Sequence, residues 1–405
     1  MEKNNKSNIL ILIALIAFFL FVIIMESNNQ MLMLMTVLRK SAVYALAAVA
    51  LNLLNGFTGL FSLGHAGFML IGAYAYATVS VPLAQRPSVY MYYDCIVNFS
   101  FPEILGNLMG GPGMVLGVLI AITLAGVITA AVAYFVGLPV LRLKGNYLSI
   151  ATLGFAEIIR AIFQWGKLGP VTNGSNPIRN YVRQNAFTLN ISDDSYIRTF
   201  LNYFNIEIGD RIVLGTFFFL FMVTLCIGII VLLVNSSYGR AFKAVREDEI
   251  AAEAMGINLY KYKQLSFVIS SFFAGISGAL LAMFMSTVMA DNFRVAMTYE
   301  LVLIVVLGGL GSISGSIIAA MLFVFSSEWW LRGLDSGGLV PIDTEWLHVS
   351  ISSLYFRNGF RLVVFSIIIM IVVLFFRKGI MGDKELPYMI KKFFTKNRKA
   401  GESNV

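Results

Sequence analysis

The sequence predicts an all-α polytopic membrane protein of about ten transmembrane helices, eight if its glycine-rich passages only re-enter, with both termini cytoplasmic. Three observations lead there. The 405 residues are 58% hydrophobic and only 13% charged. Several apolar runs are long enough to cross a bilayer core, which takes roughly 20 residues each. The Lys and Arg residues gather in loops and tails, as the positive-inside rule expects. On this reading residues 1–383 form one transmembrane domain and residues 384–405 a basic cytoplasmic tail.

Taken in order, residues 9–25 are the first span. The run follows Lys3 and Lys6 as a signal peptide would, but no small-residue cleavage site follows it, so it reads as a retained helix. The second span, within 31–54, is interrupted by Arg39 and Lys40, which either mark its boundary or face the bundle interior. Residues 52–81 carry Gly56, Gly59, Gly64, Gly67 and Gly72, a density that suggests a broken or re-entrant passage followed by a closely packed helix. Residues 83–112 contain Pro87, Pro102 and Pro112 and read as an external loop. Residues 114–141 span inward to the basic turn at 142–146, and 147–163 return outward with Trp165 at the interface. The long polar segment 166–211 is external. Spans at 212–234 and 265–284 flank the charged stretch 237–263. The run 300–330 is too long for one helix, and Gly308 to Ser316 supply the turn that splits it. An external loop at 331–360, a span at 362–376 and the basic tail complete the chain.

The stretch 237–263 is polar, basic and caught between two spans, which places it in the cytoplasm. Within it Asp248 can cap a helix over EIAAEAM, and Gly256 can end it. A helix that short needs a partner to lie against, and Ala251, Ala252 and Ala254 allow close approach. Glu249 and Glu253 share a face at i,i+4, and Arg240, Lys243 and Arg246 supply the opposite charge.

Other chemistry is missing from the sequence. It has no GxxxxGK[ST] phosphate loop, no HExxH and no GxSxG. Cys95 and Cys226 make no disulfide framework, and with His65 and His348 the only histidines no metal or other cofactor is expected. The net charge of +8 comes without a basic groove of interleaved aromatics, so no nucleic-acid partner is expected. The candidate translocation path comprises Asn52, Ser62, Gly64, His65, Thr152, Glu157, Gly311 and Ser312. Glu157 is an intramembrane carboxylate, for which an i,i+3 pair with Arg160 is the simpler role. His65 faces a path or, more simply, bridges backbone groups freed by the glycines around it. GLFSLGHAG (59–67) echoes GLGSISGS (309–316), as in a two-repeat permease, although small-residue motifs also recur wherever membrane helices pack.

NLLNGFTGLFSLGHAGFMLIGAY, LRLKGNYLSIATLGFAEIIR, VTNG, GRAFKAVREDEIAAEAMGIN, LIVVLGGLGSISGSIIAA and the ending FRKGIMG, in this order, resemble the permease subunits of branched-chain amino acid ABC importers, most closely the M-type subunit. The resemblance implies a subunit without catalysis of its own in a prokaryotic cell membrane, carrying leucine, isoleucine or valine. It also implies a second permease in a heterodimer, two cytoplasmic ATPases and an external substrate-binding protein as partners. The short helix after Asp248 would then sit in a groove of an ATPase. Two other readings stand beside it: a urea or short-amide importer, and a self-sufficient channel or carrier. The outer loops look expanded, and Ser175, Asn176 and Pro177 follow VTNG where relatives usually show a further glycine.

Overall fold

A computed structural model describes residues 32–143, 145–183 and 211–330, with parts of 22–26, 186–190, 342–349 and 379–382 and single positions at 367 and 370. The first span lies largely outside the described residues, as do most of the last one and the basic tail.

The described body is helical. Its elements are α1 (Leu32–Asn52), α2 (His65–Ser80), α3 (Phe101–Met109), α4 (Gly111–Val140), α5 (Asn146–Gln164), α6 (Gly215–Asn235), α7 (Ser237–Glu247), α8 (Glu249–Ala254), α9 (Leu259–Phe284), α10 (Val295–Gly308) and α11 (Ile313–Phe325). Five of the described helices are long and apolar enough to cross a membrane, or six if the bent pair His65–Ser80 and Leu83–Val89 is one span. The all-α expectation needs one small amendment. Two antiparallel pairs of three-residue strands, β1 (Thr188–Asn190) with β2 (Arg211–Val213) and β3 (Ile342–Thr344) with β4 (Leu347–Val349), lie in the segments expected to be external, except that Ile212 and Val213 fall at the start of the expected span 212–234.

α9 is the packing centre. Every residue from Phe273 to Met283 is buried, as expected of a helix that is apolar all round. Small residues let its neighbours in. A Cβ on Gly72 of α2 would stand 2.0 Å from the carbonyl oxygen of Gly275, and one on Gly278 would stand 2.0 Å from that of Met69. Helix association in a membrane depends on such close approach together with interhelical hydrogen bonds. Ser270 Oγ donates to the Ala50 carbonyl of α1 at 2.6 Å, and Gln264 Nε2 donates to Tyr134 O of α4 at 2.8 Å.

The open question at Arg39 and Lys40 is answered by α1 running straight through both. Arg39 is buried, donates from Nε to Met35 O at 3.1 Å and lies 3.8 Å from the Glu26 carboxylate. Glu26 in turn accepts from Thr216 N at 2.9 Å and from its Oγ1 at 2.8 Å, which fastens the residues before α1 to the start of α6. Lys40 pairs with Glu328 beyond α11. Both charges face inward and are matched, the usual remedy for charge at membrane depth.

Three other expectations are refined. Segment 83–112 is not an open loop: α3 folds back on α4, and a Cβ on Gly113 would stand 1.9 Å from Leu105 O. The charged central stretch holds two helices, because α7 buries Phe242 and Val245 on one side. The run 300–330 breaks where its glycines are, but α10 has 14 residues and α11 has 13. Helices of that length cover roughly 20 Å, less than the roughly 30 Å of a bilayer core.

Candidate functional site

Two glycine-rich breaks, far apart in the chain, meet in the fold. At the first, α1 loosens into a π turn at Leu53–Phe57, and residues 58–64 are non-helical until α2 begins at His65. At the second, α10 stops at Gly308 and α11 begins after Ser312. Gly309 at φ +109° and Gly311 at φ +90° make the turn, conformations that side chains resist.

Asn52 joins the two breaks. Its Nδ2 donates to Ser312 O at 2.9 Å and to Ser316 Oγ at 2.8 Å, and its Oδ1 accepts from Gly311 N at 2.9 Å. One buried amide thus satisfies the Gly311 N–H that the break would otherwise leave open and adds to the bonds that the Ser312 carbonyl receives from Ser316, which matters because unpaired buried backbone is costly. Ser312 also caps α11, its Oγ accepting from Gly315 N at 3.1 Å. Gly56 leaves no spare room, since a Cβ there would stand 2.4 Å from Gly311 N.

Arg246, from α7 in the charged stretch, reaches the same place. Its Nη1 donates to the Gly56 carbonyl at 2.5 Å. Gly59 (φ +77°) packs against its stem, a Cβ there meeting Arg246 Cγ at 3.2 Å. Lys243 Nζ lies 5.6 Å from the centroid of the Phe57 ring. Arg246 therefore does not balance the α8 carboxylates, as the sequence suggested, but holds the π turn. Arg240 also stays local, donating to Ser237 Oγ at 2.9 Å.

The rest of the charged stretch folds largely as its residues predict. Asp248 Oδ1 accepts from Ile250 N at 2.8 Å and Ala251 N at 3.1 Å, and Gly256 turns the chain at φ +83°. Glu249 pairs with Lys263 of α9 at 2.6 Å, while Glu253 is exposed. Ala252 differs from expectation. It is buried in this chain, so the exposed apolar side chains here are Ile250 of α8 and Met255 just after it, 81% and 83% exposed.

The remaining candidates divide between two places. Ser62 and Gly64 line the first break beside Thr152 of α5: Ser62 N donates to Asn55 Oδ1 at 3.1 Å, and Leu63 N to Thr152 Oγ1 at 3.0 Å. His65 is buried at the start of α2, yet its Nε2 has no hydrogen-bond partner among the described residues, nor has Asn55 Nδ2. The expected bridging of freed backbone by His65 is thus not what its Nε2 does. Glu157 lies apart, paired with Arg160 at 2.7 Å as its spacing suggested; Arg160 also reaches Asp291 at 3.3 Å. Asn55 and Ser316 were not singled out as site residues in the sequence, and Gly56 only as one of the glycines that break the run. The glycine density marked the first break, but nothing local distinguishes a π turn from the end of an α-helix.

In the expected external part, Asn173 of VTNG adopts the left-handed conformation at φ +60° and donates from Nδ2 to Val89 O at 3.0 Å and Pro177 O at 3.2 Å. Thr78 and Tyr90 hydroxyls donate to Val171 O, so the motif is fastened over the end of α2.

Residues 33–374 match the family model described as branched-chain amino acid transport system / permease component. The chain is 34% identical over 291 residues to the high-affinity branched-chain amino acid transport system permease protein LivM of Salmonella typhimurium, covering 71% of this chain and 61% of that one. It thus spans about three-fifths of that curated relative, and likewise of the Escherichia coli LivM. A probable LivM of Methanocaldococcus jannaschii is 24% identical over 363 residues, 86% of this chain and 94% of that one. The permease protein LivH of Salmonella typhimurium is 30% identical over 152 residues, 37% of this chain and 42% of that one. No solved structure matches the chain. With most of its length matched, the chain belongs to the family of permease components of branched-chain amino acid transport systems.

Proposed function

We propose that this chain is a membrane permease subunit of an ATP-driven importer of branched-chain amino acids. It would work with a second permease, two cytoplasmic ATPases and an external binding protein. Beside the family membership, one observation carries the mechanism: Arg246 of the charged stretch holds the Gly56 carbonyl where the two glycine breaks meet. A push on α7–α8 from a cytoplasmic partner would reach that junction without passing through a spanning helix. Ile250 and Met255 are the side chains such a partner would meet.

The path on this reading runs along the first break. Asn55 Nδ2 and His65 Nε2, buried and without a hydrogen-bond partner among the described residues, are the groups available to a substrate's polar head. The topology that goes with it has about ten spans, both termini inside and segment 166–211 outside. Uptake of labelled leucine with and without the gene tests the substrate class. Loss of leucine uptake is expected; loss of urea uptake with leucine uptake intact would overturn the assignment.

A further inference from the structure

Resting on the importer reading, we infer that the exposed face of α5 is the seat of the second permease subunit, with the Glu157–Arg160 pair in the seam between the two permeases. The face presents Tyr147, Ile150, Gly154, Ile158 and Ile162. Apolar exposure alone is ordinary for a spanning helix, and α6 shows it too, with Phe221, Leu225, Gly228 and Leu232.

Charge sets α5 apart. The Glu157 and Arg160 side chains are 35% and 25% exposed, and they continue to Asp291 and Arg294 at 43% and 65%. Gln164 adds a hydrogen bond to Asp291 at 3.2 Å. Glu157 lies seven residues before Gln164, where α5 ends, or roughly 10 Å down the helix at about 1.5 Å per residue. Charge at that depth belongs against protein or water, not hydrocarbon. None of the described elements covers these side chains fully, which leaves their outer side open to a protein partner. The cluster holds two carboxylates and two guanidinium groups and is neutral, which disfavours an anionic lipid headgroup as the occupant and favours a protein face.

Two further features suit a helix of another permease. A Cβ on Gly154 would meet nothing within 4 Å, whereas one on Gly64 or Gly67 would press on the α5 backbone. Gly154, like Gly228 of α6, therefore packs against none of the described residues and leaves space for a second backbone. The face is also continuous with the first glycine break. Ser149 Oγ donates to Phe61 O at 2.7 Å, and Gly59 and Phe61 are exposed beside it. A permease seated on α5 would close the open side of that break.

The test uses the whole complex in native membranes, with a tag on the second permease. A benzophenone amino acid is placed at Ile150 or Ile158 of α5, and at Leu225 or Leu232 of α6 for comparison. Adducts carrying the tag are expected from the α5 positions and not from α6. Tagged adducts from α6 alone, or only lipid adducts from α5, would overturn the seat while leaving the importer reading intact. Absence of any second permease from the unmodified complex would overturn both. As an independent check, Gly154→Leu is expected to lower recovery of the second permease severalfold, and Gly228→Leu to leave it unchanged. Equal recovery for both would contradict the assignment.

Discussion

A single amide, that of Asn52, holds together two parts of the chain that lie more than 250 residues apart. Asn52→Leu keeps a similar volume but strands the Gly311 N–H, at a cost of about 1–3 kcal/mol for a buried group left unpaired. The expected result is a lower melting temperature of the detergent-extracted complex with membrane insertion unchanged. Gly56→Ala should cost a similar amount, about 1–3 kcal/mol as overpacking, because its Cβ would meet Gly311 N. An unchanged melting temperature in both would show that the junction is not a tight contact. Glu249→Gln should do little, since its pairing with Lys263 is half exposed and such pairs are typically worth at most about 1 kcal/mol. Of these residues, the sequence made Asn52 and Gly311 visible as polar and small groups among apolar ones. That they bond to each other was not legible, because no local pattern links positions so far apart.

At the scale of elements, α8 shows what short-range rules can and cannot supply. Its N-cap and its glycine stop were legible because caps depend on neighbours in sequence. Which side faces outward was not, because that depends on how α7 and α9 hold it. Ala252 is buried within the chain, so Ala252→Trp is expected to lower the yield of folded permease itself. Ile250→Lys together with Met255→Lys is expected to leave the permease folded and to reduce co-purification of the ATPase. Loss of the ATPase from the Trp variant with normal permease yield, and its retention by the double variant, would reverse the two roles. Asp248→Ala removes the cap, a change of about 0.5–2 kcal/mol in helix stability, and should weaken the same association less than the double variant. The helix α7 went unread because its charges suggested a solvated loop, although Phe242 and Val245 lie at the i,i+3 spacing of a buried stripe.

Across the whole molecule, apolar length was the most legible property. The spans at 114–141, 147–163, 212–234 and 265–284 correspond to α4, α5, α6 and α9, within three residues at either end except that α9 begins six residues earlier, at Leu259. Where glycine breaks and matched charges interrupt the apolar runs, length alone gave the number of crossings only as a range. In a chain with Cys95 and Cys226 replaced, a cysteine at Asn190 should react with an impermeant reagent added outside, and one at Asn397 should not; the reverse would overturn the topology. The central claim is that the charged stretch moves the junction of the two breaks through Arg246. The most direct measurement is leucine transported per ATP hydrolysed by the reconstituted complex carrying Arg246→Ala or Arg246→Lys. The Ala variant should assemble and hydrolyse ATP but transport roughly fivefold less per ATP, the weight of about 1 kcal/mol for a partly exposed hydrogen bond, and Lys should restore part of the loss. Transport per ATP equal to that of the unmodified complex in the Ala variant would contradict the account.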